Sequence, residues 1–148
     1  MGKSLVDKYA LLPDEIDRES LKMVQASLPN DIELEPDEHY VLCRIVRAEG
    51  DPAISHDVKF SPEAITAGLK ALQSGKDIIT DVRMVEMGIS KLSLNNAGLQ
   101  TRCVIDTEQV AKRALKEQTT RSVASLRELA PYLGDAIVAI GKAPTALL

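Results

Sequence analysis

The sequence has 148 residues, 45% hydrophobic and 27% charged, with a formal net charge of −4 and a pI near 5.2. A chain of this length buries a core without disulfide or metal staples, and an acidic field with three Tyr, one Phe and no Trp disfavours nucleic acid as a partner. No apolar run approaches the ~20 residues that span a bilayer, Met1–Ala10 lacks the apolar stretch of a secretory leader, and Cys43 and Cys103 have no neighbour at metal-ligand spacing, so the expectation is a cytoplasmic protein with free, buried thiols and neither metal nor cofactor.

Pro13, followed by Asp14 and Glu15 and closed by Pro29, predicts a helix over 14–28. Its apolar stripe runs through Ile16, Met23, Val24 and Leu28 and includes Ser20, whose hydroxyl either bonds its own helix backbone or lines a pocket. Pro36 opens a second helix ending near Gly50, with Val41, Leu42, Ile45 and Val46 on its apolar face. Arg44 and Arg47 project as neighbours on another side, about 60° apart. Beyond a loop holding Asp51, Pro52 and His56, Val58–Phe60 reads as a short strand, and Ser61 with Pro62 as the start of a helix reaching Gly75. Ile78–Thr80 is a strand ending in Asp81, Val82–Met87 a short helix stopped by Gly88, and Asn95, Asn96 and Gly98 a turn before a strand over Arg102–Ile105. Helices follow at Glu108–Gln118 and, capped by Thr119 or Thr120, at Arg121–Leu129. Pro131 and Gly134 precede a buried strand over Ala136–Ile140, and Ala143–Leu148 resembles the opening turn of one more helix, which suggests a chain cut short.

Strands alternating with helices imply crossover connections. The predicted fold is therefore α/β, a mainly parallel sheet flanked by helices in a single three-layer domain over residues 1–148.

The common nucleotide, phosphate and hydrolase motifs are missing, and two histidines are too few for a zinc site or a catalytic triad built on chance spacing. What remains is placement. Ligands of open α/β sheets sit beyond the carboxyl ends of the strands, where Asp81 and the Gly141–Lys142 turn are expected. Arg121, in the first turn of its helix, adds a guanidinium to free backbone N–H groups, a combination suited to carboxylate or phosphate. Arg44 and Arg47 offer two more positive charges. The alternative is that these are solvated charges paired with neighbours such as Glu38 or Glu49, which are common and worth little.

A series of strings resembles the precorrin-8X methylmutases of cobalamin synthesis: Pro13-Asp-Glu-Ile16 with Ser20, Arg44-Ile-Val-Arg47, Phe60-Ser-Pro62, Ile79-Thr-Asp-Val-Arg-Met-Val85 with Gly88, Thr120-Arg-Ser122, and Val138-Ala-Ile-Gly-Lys-Ala-Pro-Thr-Ala-Leu147. The last string and the Thr-Asp-x-x-Met-Val segment are the most specific. The resemblance implies an isomerase that migrates a methyl group from C-11 to C-12 of a carboxylate-rich tetrapyrrole, precorrin-8X or cobalt-precorrin-8, giving a hydrogenobyrinate-like product. It also implies a homodimer, a histidine acting as general acid, and substrate contacts from Ser20, Arg44 and Arg121, to which placement at the sheet's edge adds Asp81 and Lys142. Three departures stand out. The family's Arg-x-x-His is here Arg44-Ile-Val-Arg47, and arginine holds its proton to a pKa above ~12. The family's Gly-Asn-Ala-Pro-Thr is here Gly141-Lys-Ala-Pro-Thr145. The family's later helices, strands and Pro-Val-Gly segment are not in this sequence. His56, in the loop after Arg47, offers a stand-in acid against the leading reading of an exposed loop histidine, whereas His39 falls on another side of the helix. The alternatives to turnover are a corrinoid binder or dimer partner, or a structural remnant that binds no tetrapyrrole.

Overall fold

The computed structural model describes residues 12–141 and 144–147, which fall into two compact units, Met1–Ile65 and Thr66–Leu148.

The first unit is a helical pair. Helices α1 (Pro13–Ser27) and α2 (Pro36–Glu49) each start on proline, where the missing N–H costs nothing. In each, a glutamate folds back to cap the start. Glu15 Oε2 accepts the Leu12 N–H at 2.8 Å, and Glu38 Oε2 accepts the Glu35 N–H at 3.2 Å. Gly50, at φ 81°, ends α2 in the left-handed conformation that glycine adopts without strain. The buried residues of the pair, Leu42, Cys43 and Val46, all come from α2, and α1 lies alongside.

The stripe expected on α1 is rotated. Ile16 and Met23 are 47% and 74% exposed, while Asp17, Ser20, Leu21 and Val24 share a half-buried face that runs on to Leu28. Their spacing is that of a helix face, but the face includes a carboxylate, so apolar periodicity alone points one residue away from it. Beyond α2, a 3-10 turn (Pro52–His56) is capped by Asp51, whose Oδ1 accepts the Ala53 N–H at 2.9 Å. Val58–Phe60, expected as a strand, forms none. Ser61 and Pro62 make a turn rather than a helix start: the Ala64 N–H donates to the Ser61 carbonyl at 3.1 Å and Glu63 sits at φ 62°. Helix α3 (Ala64–Gln73) begins only after it.

The second unit holds the sheet. Strands β1 (Ile78–Thr80), β2 (Thr101–Arg102) and β3 (Ile137–Ala139) are ordered β2-β1-β3 and all parallel, as the alternating pattern predicts. Ile78 faces Thr101 and Ile137, and Thr80 faces Ala139. Helices α4 (Arg83–Gly88) and α5 (Lys91–Ala97) connect β1 to β2. The Asn95-Asn96 turn is in fact the last turn of α5, ended by Gly98 at φ 66°. Residues 103–105, expected in the strand, leave it, because Thr107 closes a turn on Val104 (N–H to carbonyl, 3.0 Å) and caps α6 (Glu108–Lys116).

Thr120 caps α7 (Arg121–Leu129), its Oγ1 accepting the Val123 N–H at 3.2 Å. The core packs Ile79 of β1 against Leu126 and Leu129 of α7 and against Ala146, with Val110, Ala114 and Ala124 as a second cluster between α6 and α7. Ala146 belongs to a 3-10 turn, Pro144–Leu147, where the opening of another helix was expected. Ala143 and Leu148 of that expected helix, like Lys142, lie outside the described residues.

Candidate functional site

In the first unit, Arg44 and Arg47 of α2 converge on one carboxylate, Asp17 of α1. Arg44 Nη1 donates to Asp17 Oδ1 and Oδ2 at 3.4 and 3.3 Å, and Arg47 Nη1 donates to Asp17 Oδ1. Neither expected partner, Glu38 or Glu49, is involved, and Glu38 instead caps its own helix. The three side chains are each a third to a half exposed, so the cluster is solvated and carries a net positive charge. The hydrogen bond from Arg47 is the main reason the Asp17 carboxyl is held below its ordinary value, opposed by desolvation and helped by the charge of both arginines. Each guanidinium gives Asp17 only its Nη1. Arginine's remaining donors, on Nε and Nη2, form the edge that matches a carboxylate. Ser20 lies one turn along α1 from Asp17 on the same half-buried face.

His56 ends the 3-10 turn, is exposed, and lines a cleft of about 470 Å³ with Asp31, Glu33, Glu38 and Lys59, to which neither Arg44 nor Arg47 contributes. His39 faces Cys43, with Nδ1 3.7 Å from Sγ. Burial raises the Cys43 thiol pKa. Both cysteines are free and buried.

In the second unit Asp81 sits at the carboxyl end of β1 and is 1% exposed. Oδ1 accepts the Gly141 N–H at 2.8 Å and Oδ2 accepts the Ser122 hydroxyl at 3.2 Å, while the Asp81 N–H donates to the Ala139 carbonyl at 3.4 Å. A buried carboxylate needs such donors. Asp81 thereby joins the end of β1 to the end of β3 and to the first turn of α7. Arg121 is exposed beside Ser122 in that turn and has no ion-pair partner among the described residues. The start of a helix favours an anion.

Sequence reasoning thus placed Arg44 and Arg47 side by side, and set Asp81 against the turn at Gly141. It missed Asp17 and Ser122. Asp17 was findable: it precedes Ser20 by three residues, which puts it on the same face of α1. Ser122 carries no signal of its own, since a serine in a first helical turn is ordinary. Among the described residues no group of three or more His, Cys, Asp or Glu is disposed to hold a metal ion, and no helix is long and apolar enough to cross a membrane.

The comparisons with known proteins agree with one another. Residues 15–148 match the family model of precorrin-8X methylmutase. A cobalt-precorrin-8 methylmutase of Priestia megaterium is 34% identical over 138 residues, covering 92% of this chain and 60% of the relative. A second, of Methanothermobacter thermautotrophicus, is 36% identical, covering 100% of this chain and 66% of the relative. The crystal structure of a precorrin-8X methylmutase from Thermus thermophilus superposes with a TM-score of 0.81 at 32% identity, covering 90% of this chain and 65% of that one. The chain therefore spans 60–66% of the length of these relatives. A family model matched from Glu15 onward, a shared fold and about a third of residues in common with these relatives establish that the chain belongs to the precorrin-8X methylmutase family.

Proposed function

We propose that this chain acts in corrin synthesis as a methylmutase, moving a methyl group from C-11 to C-12 of precorrin-8X or its cobalt-containing counterpart. Family membership supplies the reaction class. The observation that carries the ligand class is the convergence of Arg44 and Arg47 on a single carboxylate, since a site that already seats one carboxylate has the donors and the charge to seat another. The substrate's acetate and propionate arms are such groups. Ser20 offers a hydroxyl on the neighbouring helix face. Arg121 and Lys142 are proposed as further carboxylate contacts, each to be tested by itself, and Asp81, being enclosed, as a support for its surroundings. A homodimer in the cytoplasm is the proposed working state.

The methyl shift requires protonation of the macrocycle. Arg47 stands where the family's acid is expected, and a guanidinium paired with Asp17 is a poor proton donor near neutrality. Arg47 is accordingly assigned to holding carboxylate and stabilising charge. Mixing the purified protein with hydrogenobyrinate, then with precorrin-8X, tests both parts. A visible-spectrum shift with conversion of precorrin-8X supports the full reading. A shift without conversion leaves a corrinoid binder and removes the catalytic half. Absence of any shift or thermal stabilisation at low salt rejects the ligand class itself.

A further inference from the structure

We infer that Asp17 is an internal carboxylate that competes with a carboxylate of the ligand for the Arg44–Arg47 clamp, which makes it a specificity residue favouring ligands with many acidic arms. The inference rests on the reading of this clamp as a carboxylate site. Asp17 reaches both guanidiniums from the opposite helix, and Arg44 contacts both of its oxygens. An incoming carboxylate on the free Nε–Nη2 edges would draw on the same two guanidinium charges. The side chains are a third to a half exposed, so solvent and small anions reach the cluster and exchange needs no unfolding.

Selection follows from effective concentration. Asp17 is tethered to α1, which lies against α2, so it competes as though present at roughly millimolar concentration or above. A lone acetate-like group, bound weakly by two solvated arginines, does not displace it. A ligand anchored through several other arms delivers its carboxylate intramolecularly and does. The displaced Asp17 then turns to water, at little cost for a surface pair.

The test measures binding of uroporphyrin, an eight-carboxylate tetrapyrrole, and of tricarballylate, a small tricarboxylate, to the full chain and its variants. Asp17→Asn removes the charge and keeps the shape. Its dissociation constant for uroporphyrin should fall roughly two- to fivefold, with a larger proportional gain for tricarballylate. Arg44→Ala and Arg47→Ala should each weaken both ligands. Unchanged or weaker binding by a folded Asp17→Asn, with the arginine variants impaired, overturns the exchange while leaving the clamp intact. If the arginine variants bind uroporphyrin as the parent does, the carboxylate site itself is wrong. A second measurement needs no variant. In the unaltered protein the Asp17 carboxyl-carbon NMR resonance should move on saturation with uroporphyrin at pH 7, and a resonance that stays fixed also overturns the exchange.

Discussion

The Gly141 N–H donates to Asp81 Oδ1 at 2.8 Å, across sixty residues of sequence and between the ends of two parallel strands. The bond explains two residue choices at once. Asp81 is buried, so its charge must be met by donors. Gly141 must lie close, because a Cβ there would stand 3.1 Å from Val82 Cγ2, 3.3 Å from Val85 Cγ2 and 3.5 Å from Asp81 Oδ1.

Asp81→Ala leaves the Gly141 N–H and the Ser122 hydroxyl without their acceptor in a buried setting, at about 1–3 kcal/mol for each group that water cannot reach. Urea denaturation should show a loss of about 2–4 kcal/mol. Asp81→Asn keeps an acceptor for Gly141 and should lose less. Gly141→Ala should cost about 1–3 kcal/mol through overpacking against the two valines. A midpoint unchanged in Asp81→Ala means the carboxylate is not the link between these strands.

Two buried hydroxyls of this unit, Thr80 Oγ1 and Ser125 Oγ, have no hydrogen-bond partner among the described residues. An unpaired buried hydroxyl is a liability, and replacing it with an apolar group of the same shape is neutral or favourable. Thr80→Val and Ser125→Ala should leave stability unchanged or raise it by up to about 1 kcal/mol. A clear loss in either variant instead identifies an ordered water bound to that hydroxyl.

Acid sensitivity should follow the arginine-paired carboxylates. Hydrogen bonds from Arg47, Arg83 and Arg127 are the leading causes that hold Asp17, Asp106 and Glu117 below their ordinary values. A carboxyl with a native pKa below its unfolded one binds fewer protons folded than unfolded, so its stabilisation is complete above the ordinary range of about 3.9–4.3. It is lost as pH falls through the lowered native value. Urea midpoints should therefore hold steady from pH 7 to about 5 and decline below about 4. Asp106→Asn, which gives up the charge paired with Arg83, should make that decline shallower. These pairs are exposed, so 0.5 M salt should also flatten it. A decline of equal steepness in Asp106→Asn assigns the acid loss to other groups.

The parts of the fold legible in the sequence were those written by local chemistry. Pro13, Pro36, Gly50, Thr120 and the apolar runs at 78–80 and 136–140 each mark an element boundary or a strand through a local cause, and those elements are present, although β3 is only half-buried, with Val138 36% exposed, where a buried strand was expected. The unread parts depend on partners distant in sequence. Val58–Phe60 has strand-like composition but no neighbour to pair with. Residues 103–105 leave β2 because Thr107 offers their backbone a turn. The site divides in the same way. Arg44 and Arg47 were readable as helix neighbours, whereas Asp17 becomes visible only once a carboxylate is allowed on an inward face. Ser122 reaches Asp81 only through the tertiary fold, across 41 residues of sequence.

Arg47→His tests the mechanistic consequence of the family's altered string. The substitution removes the guanidinium that meets Asp17 Oδ1 and puts an imidazole at that position. A carboxylate beside an imidazole favours its charged form and lifts its pKa above the ordinary value of about 6.5. The new group would then be protonated near neutrality and able to release its proton to the macrocycle, which Arg47 does not do. A positioned general acid contributes about 10²–10⁴-fold in rate, so a gain of at least about tenfold in conversion of precorrin-8X is expected of Arg47→His where uroporphyrin binding is retained. Adding Asp17→Asn should lower the imidazole pKa and shift the activity optimum to lower pH. A folded, ligand-binding Arg47→His variant with no gain places the limiting defect outside this helix. An unmoved pH optimum in the double variant separates Asp17 from the acid's titration.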